Sequence, residues 1–148
     1  MSLVKMAKGI LSAAAAFLAV GVAFPYLLEY FSPEVSSYVR LPPADEVWAV
    51  FLAIGAAFAV TGFLQNAYSK GDYPWLFGRL GRGIVSIVLF TYLFSLLPSS
   101  IGSAGIQTSD LLYLIYLAVA LSYGYLILDF FDARRLRTFK PKETDNMF

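Results

Sequence analysis

The sequence predicts an all-α integral membrane protein, a bundle of four transmembrane helices, and three observations predict it. Four long uncharged stretches divide the 148-residue chain: Gly9 to Leu28, Val47 to Tyr68, Gly83 to Ser109 and Leu111 to Leu128. A helix needs roughly 20 mostly apolar residues to cross a bilayer. Hydrophobic residues make up 59% of the chain and charged residues 14%, whereas soluble domains carry about 25% charged residues. Almost every charge lies between the uncharged stretches or near the ends. The expected unit is one membrane domain over 1–148, with spans near 9–31, 44–68, 75–97 and 110–132 and a basic tail over 133–148.

Local signals justify the elements in turn. Lys5 and Lys8 before an Ala-rich run, with Gly21-Val22-Ala23 beyond it, imitate a secretory leader; the run is read here as the first span. Pro25 should kink that helix in its outer third or end it. Ser32-Pro33-Glu34 has the order of an N-cap, a first-turn proline and an early carboxylate, which predicts a short external helix ending near Arg40. Pro42-Pro43 opens the second span, where Asp45 and Glu46 complement the helix dipole. Asp72 and Pro74 open the third and Pro98 stops it. The loop from Ser99 to Gly105 should be small and irregular before the fourth span begins. Tyr26, Tyr30 and Trp48 should lie at one membrane interface, and Tyr68, Tyr73 and Trp75 at the other.

Orientation follows from Lys and Arg. Basic residues fall in the first segment (Lys5, Lys8), the third (Lys70, Arg79, Arg82) and the fifth (Arg134, Arg135, Arg137, Lys140, Lys142), while the loop after the first span is net acidic. The positive-inside rule then places both termini in the cytoplasm. The expected location is a prokaryotic cell membrane.

Missing residue types narrow the chemistry. The chain has no Cys and no His, and its Met residues are Met1, Met6 and Met147. The usual protein ligands of haem, copper, zinc and iron–sulfur clusters are therefore missing or terminal, and no cofactor is expected. A net charge of +1 points to no nucleic-acid partner. No phosphate loop or dinucleotide fingerprint is present either. Gly78-Arg79-Leu80-Gly81-Arg82-Gly83 is glycine-rich but lacks phosphate-loop spacing, and its glycines are read as allowing close helix approach.

Small residues mark candidate packing faces. The first span has Ala15, Ala19 and Ala23 at four-residue spacing; the second has Ala49, Ala53 and Ala57, with Gly55, Ala59 and Gly62 on another side. Such spacing lets helices in lipid approach closely. The expectation is a tight hairpin of the first two spans, with an oligomer interface as the alternative.

Candidate functional residues gather at one end. Arg79, Arg82 and Ser86 share a face of the third span; Ser122, Tyr125, Asp129 and Asp132 share one on the fourth; Gln65 and Asn66 end the second. They would form an internal polar cluster, a vestibule or headgroup pocket, or else neutralise one another as Arg–Asp pairs. Counted inward from Leu97 and Leu111, Arg79 and Asp129 come out level, which predicts that Asp129 pairs with Arg79 or Arg82 and that Asp132 is more exposed. Glu29 is a lone carboxylate at the other end, expected to be solvated. The tail bases Arg134, Arg135, Arg137, Lys140 and Lys142 should meet anionic headgroups, each worth about 1 kcal/mol near the surface.

Three functions fit. The favoured one is a non-catalytic structural or accessory subunit of a larger membrane complex (respiratory, secretion or transport), partnered by other membrane subunits or by itself. The second is a homo-oligomeric channel or transporter for an ion or small solute. The third is a lipid-modifying enzyme with Asp129 and Asp132 on a divalent cation.

Overall fold

The computed structural model describes residues 3–35, 41–98, 100–101 and 106–139. Its helices are α1 (Leu3–Ala16), a π-helical stretch (Phe17–Ala23), α2 (Phe24–Val35), α3 (Ala44–Ala67), α4 (Tyr73–Ser95) and α5 (Thr108–Phe139). α1, the π-helical stretch and α2 are continuous, so four helical units are long and apolar enough to cross a membrane.

The first unit does not break at its prolines. Pro25 would clash with the Gly21 carbonyl in a regular α-helix. The chain widens instead into π geometry just before it, with the Phe24 N–H bonded to the Ala19 carbonyl. Pro25 is then fully buried. Pro33 lies inside α2, so Ser32 does not cap a new helix as expected. The remainder of the expected external helix, toward Arg40, lies outside the described residues.

α3 is the hub. It is apolar on all sides, as a centrally placed helix must be, and it carries most of the core: Val47, Phe51, Ile54 and Phe58 are buried. α1 and the π-helical stretch pack along one side of it and α4 along another, whereas α5 packs mainly on α4. The four spans therefore form a row around α3 rather than a closed bundle. In their most apolar windows α3 is 39% buried and the last span 6%.

The faces that touch are set by glycine. A Cβ on Gly55 would lie 2.6 Å from the Gly21 Cα, so the two backbones meet there. Gly9 approaches Phe63, and Gly62 approaches Ser12. The Ala15, Ala19, Ala23, Ala49 and Ala53 positions are exposed and Ala57 is half-buried. The hairpin of the first two spans thus uses the glycine face, and the alanine stripes are not its contact. The reason is steric: even a methyl group is too large at the crossing.

The Ser69–Asp72 turn joins α3 to α4. Its Asp72 N–H donates to the Ser69 carbonyl at 3.0 Å, and Gly71 has φ +93°, as a glycine at the third turn position allows. The loop before α5 is more regular than expected: Ser100–Ile101 pairs antiparallel with Ile106–Gln107. The expected tail over 133–148 begins as helix, because α5 runs to Phe139.

Candidate functional site: a basic cleft between α3, α4 and α5

The Gly78–Gly83 segment builds the cleft by bringing α4 close to two neighbours at once. A Cβ on Gly78 would lie 2.7 Å from the Gln65 backbone nitrogen and 2.8 Å from the Thr61 carbonyl, so this side of α4 rests on the α3 backbone. Gly83 faces the other way and leaves room for Tyr123 of α5. The Tyr123 hydroxyl donates to the Leu80 carbonyl at 2.7 Å. Farther along the seam, Thr91 and Tyr116 share a hydrogen bond of 2.7 Å. At the start of α4, Tyr73 packs on Phe130 with ring centroids 5.7 Å apart, and the Arg134 guanidinium lies 4.4 Å above the Tyr73 ring centre.

Between these contacts lies a void of about 970 Å³, lined by residues that include Gln65, Lys70, Trp75, Arg79, Arg82, Ser86, Tyr123, Tyr125 and Asp129. Six of the eight residues in the anticipated polar cluster therefore converge on one cleft. The other two go elsewhere. Asn66 turns to the first span, donating to Ser12 Oγ at 2.9 Å and to the Gly62 carbonyl at 2.8 Å. Asp132 is exposed and does not line the cleft.

The expected Asp129–arginine pair is not formed. Asp129 binds Lys70 Nζ at 2.7 Å, across the open edge of the cleft. Because Phe130 lies on Tyr73 and Tyr123 on Leu80, Asp129 is level with the first turn of α4. That is about five residues, roughly 7 Å, nearer the helix start than Arg79. Lys70 on the turn is the cation within reach. Arg82 donates instead to the Gln65 amide oxygen, at 3.4 Å, and Arg79 makes no ion pair or hydrogen bond among the described residues. The Ser86 hydroxyl donates to the Arg82 carbonyl at 2.9 Å and that of Ser122 to the Ala118 carbonyl at 2.8 Å, and both residues line the void.

Lys70, Trp75 and Tyr123 were not singled out as site residues from sequence. Glycines on two sides of α4, Gly78 and Gly83, flanking the two arginines, were the available signal for a helix packed on two neighbours.

The opposite end carries a smaller pocket of about 190 Å³ lined by Pro25, Leu28, Glu29 and Trp48 among others. Glu29 has a partner there: the Trp48 indole N–H donates to its carboxylate at 3.0 Å. Among the described residues no three His, Cys, Asp or Glu side chains converge as metal ligands. The Arg137 side chain, Lys140 and Lys142 lie outside the described residues.

Lys5 donates to Ser69 Oγ, and Lys70 binds Asp129. The start of α1, the α3–α4 turn and the late part of α5 therefore share one end, the basic end. Glu29, Asp45, Glu46 and Asp110 occupy the other. Four helices able to span a bilayer, with charge divided in this way, are the features of a polytopic membrane protein. No protein-family model, curated protein or solved structure matches the chain.

Proposed function

We propose that this chain is a non-catalytic structural or accessory subunit of a larger membrane protein complex, with both termini on the cytoplasmic side. The observation that supports it is the row arrangement. A chain of four helices working alone gains most by closing into a ring, so that each helix packs on two others. Here α5 packs mainly on α4, and much of its apolar surface, including Leu114, Leu117, Leu121 and Leu128, is exposed. Helices from other subunits would complete that edge, and the unused alanine stripes offer surfaces for close helix contact. The basic end faces the cytoplasm on the positive-inside argument.

A second reading, a homo-oligomeric channel or transporter, draws support from the polar cleft. Extraction from the native membrane in a mild detergent, with mass measurement and identification of co-purifying chains, separates the two. Unrelated subunits at fixed stoichiometry are the expected outcome. A symmetric oligomer of this chain alone would favour the channel, and a stable monomer would sink both.

A further inference from the structure

The cleft between α3, α4 and α5 holds more positive charge than its own carboxylate balances. Its ionisable lining includes Lys70, Arg79, Arg82 and Asp129. Lys70 and Asp129 neutralise one another at 2.7 Å. That leaves two guanidinium groups three residues apart on one face of α4. Among the described residues their only polar partner is the neutral Gln65 side chain, at 3.4 Å from Arg82. Cations within a membrane-spanning helix are costly without a counter-charge or water, and an anion in the cleft would supply that counter-charge.

The form of the void indicates which anion. Guanidinium groups match phosphate oxygens with paired N–H donors. The volume of about 970 Å³ far exceeds that of a single small ion, and the α5 wall that faces the arginines includes the apolar side chains Val119, Leu121 and Leu126. Arg79 and Arg82 lie roughly 9 and 14 Å along α4 from its start, within reach of the headgroup layer for side chains that extend toward the interface. Trp75, near the helix start, lines the same void.

We propose that this cleft binds the phosphate of an anionic membrane lipid, with Arg79 and Arg82 on the phosphate oxygens and the acyl chains leaving along the apolar wall of α5. The site belongs to the single chain and requires no partner subunit, so it stands or falls separately from the subunit assignment.

Trp75 supplies the readout. The chain has two tryptophans, and Trp48 lies at the opposite end beside Glu29, so Trp48→Phe leaves Trp75 as the single tryptophan, excited selectively over the tyrosines at the red edge of the absorption band. The full-length protein carrying Trp48→Phe, in a non-ionic detergent, is titrated with phosphatidylglycerol or phosphatidylcholine bearing brominated chains, which quench on contact. Half-maximal quenching is expected at about 30-fold lower phosphatidylglycerol than phosphatidylcholine. Arg79→Gln with Arg82→Gln should abolish the difference while helix content by circular dichroism is retained. Arg79→Gln alone, which removes no described contact, should reduce it about fivefold. The difference should persist in Arg134→Gln with Arg135→Gln, which separates the cleft from the end of α5. Equal quenching by the two lipids, or a preference that survives loss of both cleft arginines, overturns the proposal. Glycerol 3-phosphate tests a soluble source: if it alters Trp75 emission through the arginines while the lipids quench alike, the lipid assignment falls.

Discussion

Lys70 reaches Asp129 because the Ser69–Asp72 turn holds it at the mouth of the cleft, and the side chains of the pair are 51% and 31% exposed. An ion pair at that exposure contributes about 0.2–1 kcal/mol, and salt should weaken it. A double-mutant cycle of Lys70→Gln with Asp129→Asn, read from unfolding in detergent, should show coupling of that size at low salt and less in 1 M salt. Asp129→Asn and Arg79→Gln should be additive. Coupling to Arg79 rather than Lys70 would restore the pairing that counting along the sequence favours. Counting failed there because it takes two helix ends as level, whereas the relative height of α4 and α5 is set where Tyr123 seats on Gly83 and Tyr73 meets Phe130.

Between elements, the decisive contacts are backbone approaches. At the Gly21–Gly55 crossing an added methyl group on Gly55 has no flexible neighbour to displace, because the nearest atoms are Gly21 Cα and N at 2.6 and 2.7 Å. Gly55→Ala should therefore destabilise the protein by about 1–3 kcal/mol through overpacking. Ala53→Leu, on an exposed position of the same helix, should leave the isolated chain within about 0.5 kcal/mol of wild type. If the alanine stripe meets another subunit, Ala53→Leu should instead release that subunit from the purified complex. The reverse pattern of stabilities in the isolated chain would mean the two faces are exchanged. Sequence showed small residues on both faces of α3, and periodicity alone did not choose between them.

At the scale of the whole molecule, the charges sort by end. Lys5, Lys70, Arg79, Arg82 and Arg134 gather where the start of α1, the α3–α4 turn and the late part of α5 meet. The chain has no Cys, so single cysteines report sidedness without background. Cysteines at Ser2 and Thr144 should react with an impermeant thiol reagent from the cytoplasmic face, and those at Ser36 and Ser103 from the opposite face. Labelling of Ser36 and Ser103 from different faces would break the four-span topology. The row arrangement belongs to this scale as well. An apolar helix facing lipid and one facing protein have much the same composition, so a closed bundle was the natural expectation and an open row was not legible.

Length, composition and the positions of Lys and Arg determine by themselves that the chain forms four apolar helices, because the number and extent of apolar stretches are read along one dimension. They also brought Gln65, Arg79, Arg82, Ser86, Tyr125 and Asp129 together, since residues three or four apart share a helix face and alternating spans return these three helix ends to the same side. Only the tertiary structure decided which face each helix turns inward, how far α5 slides along α4, and hence that Asp129 meets Lys70 while both arginines face the cleft. The physical reason is that helices in lipid are selected by close packing rather than by hydrophobicity. Packing at Gly21–Gly55, Gly78–Thr61 and Gly83–Tyr123 depends on where a Cβ would collide, which becomes defined only when two helices are placed side by side.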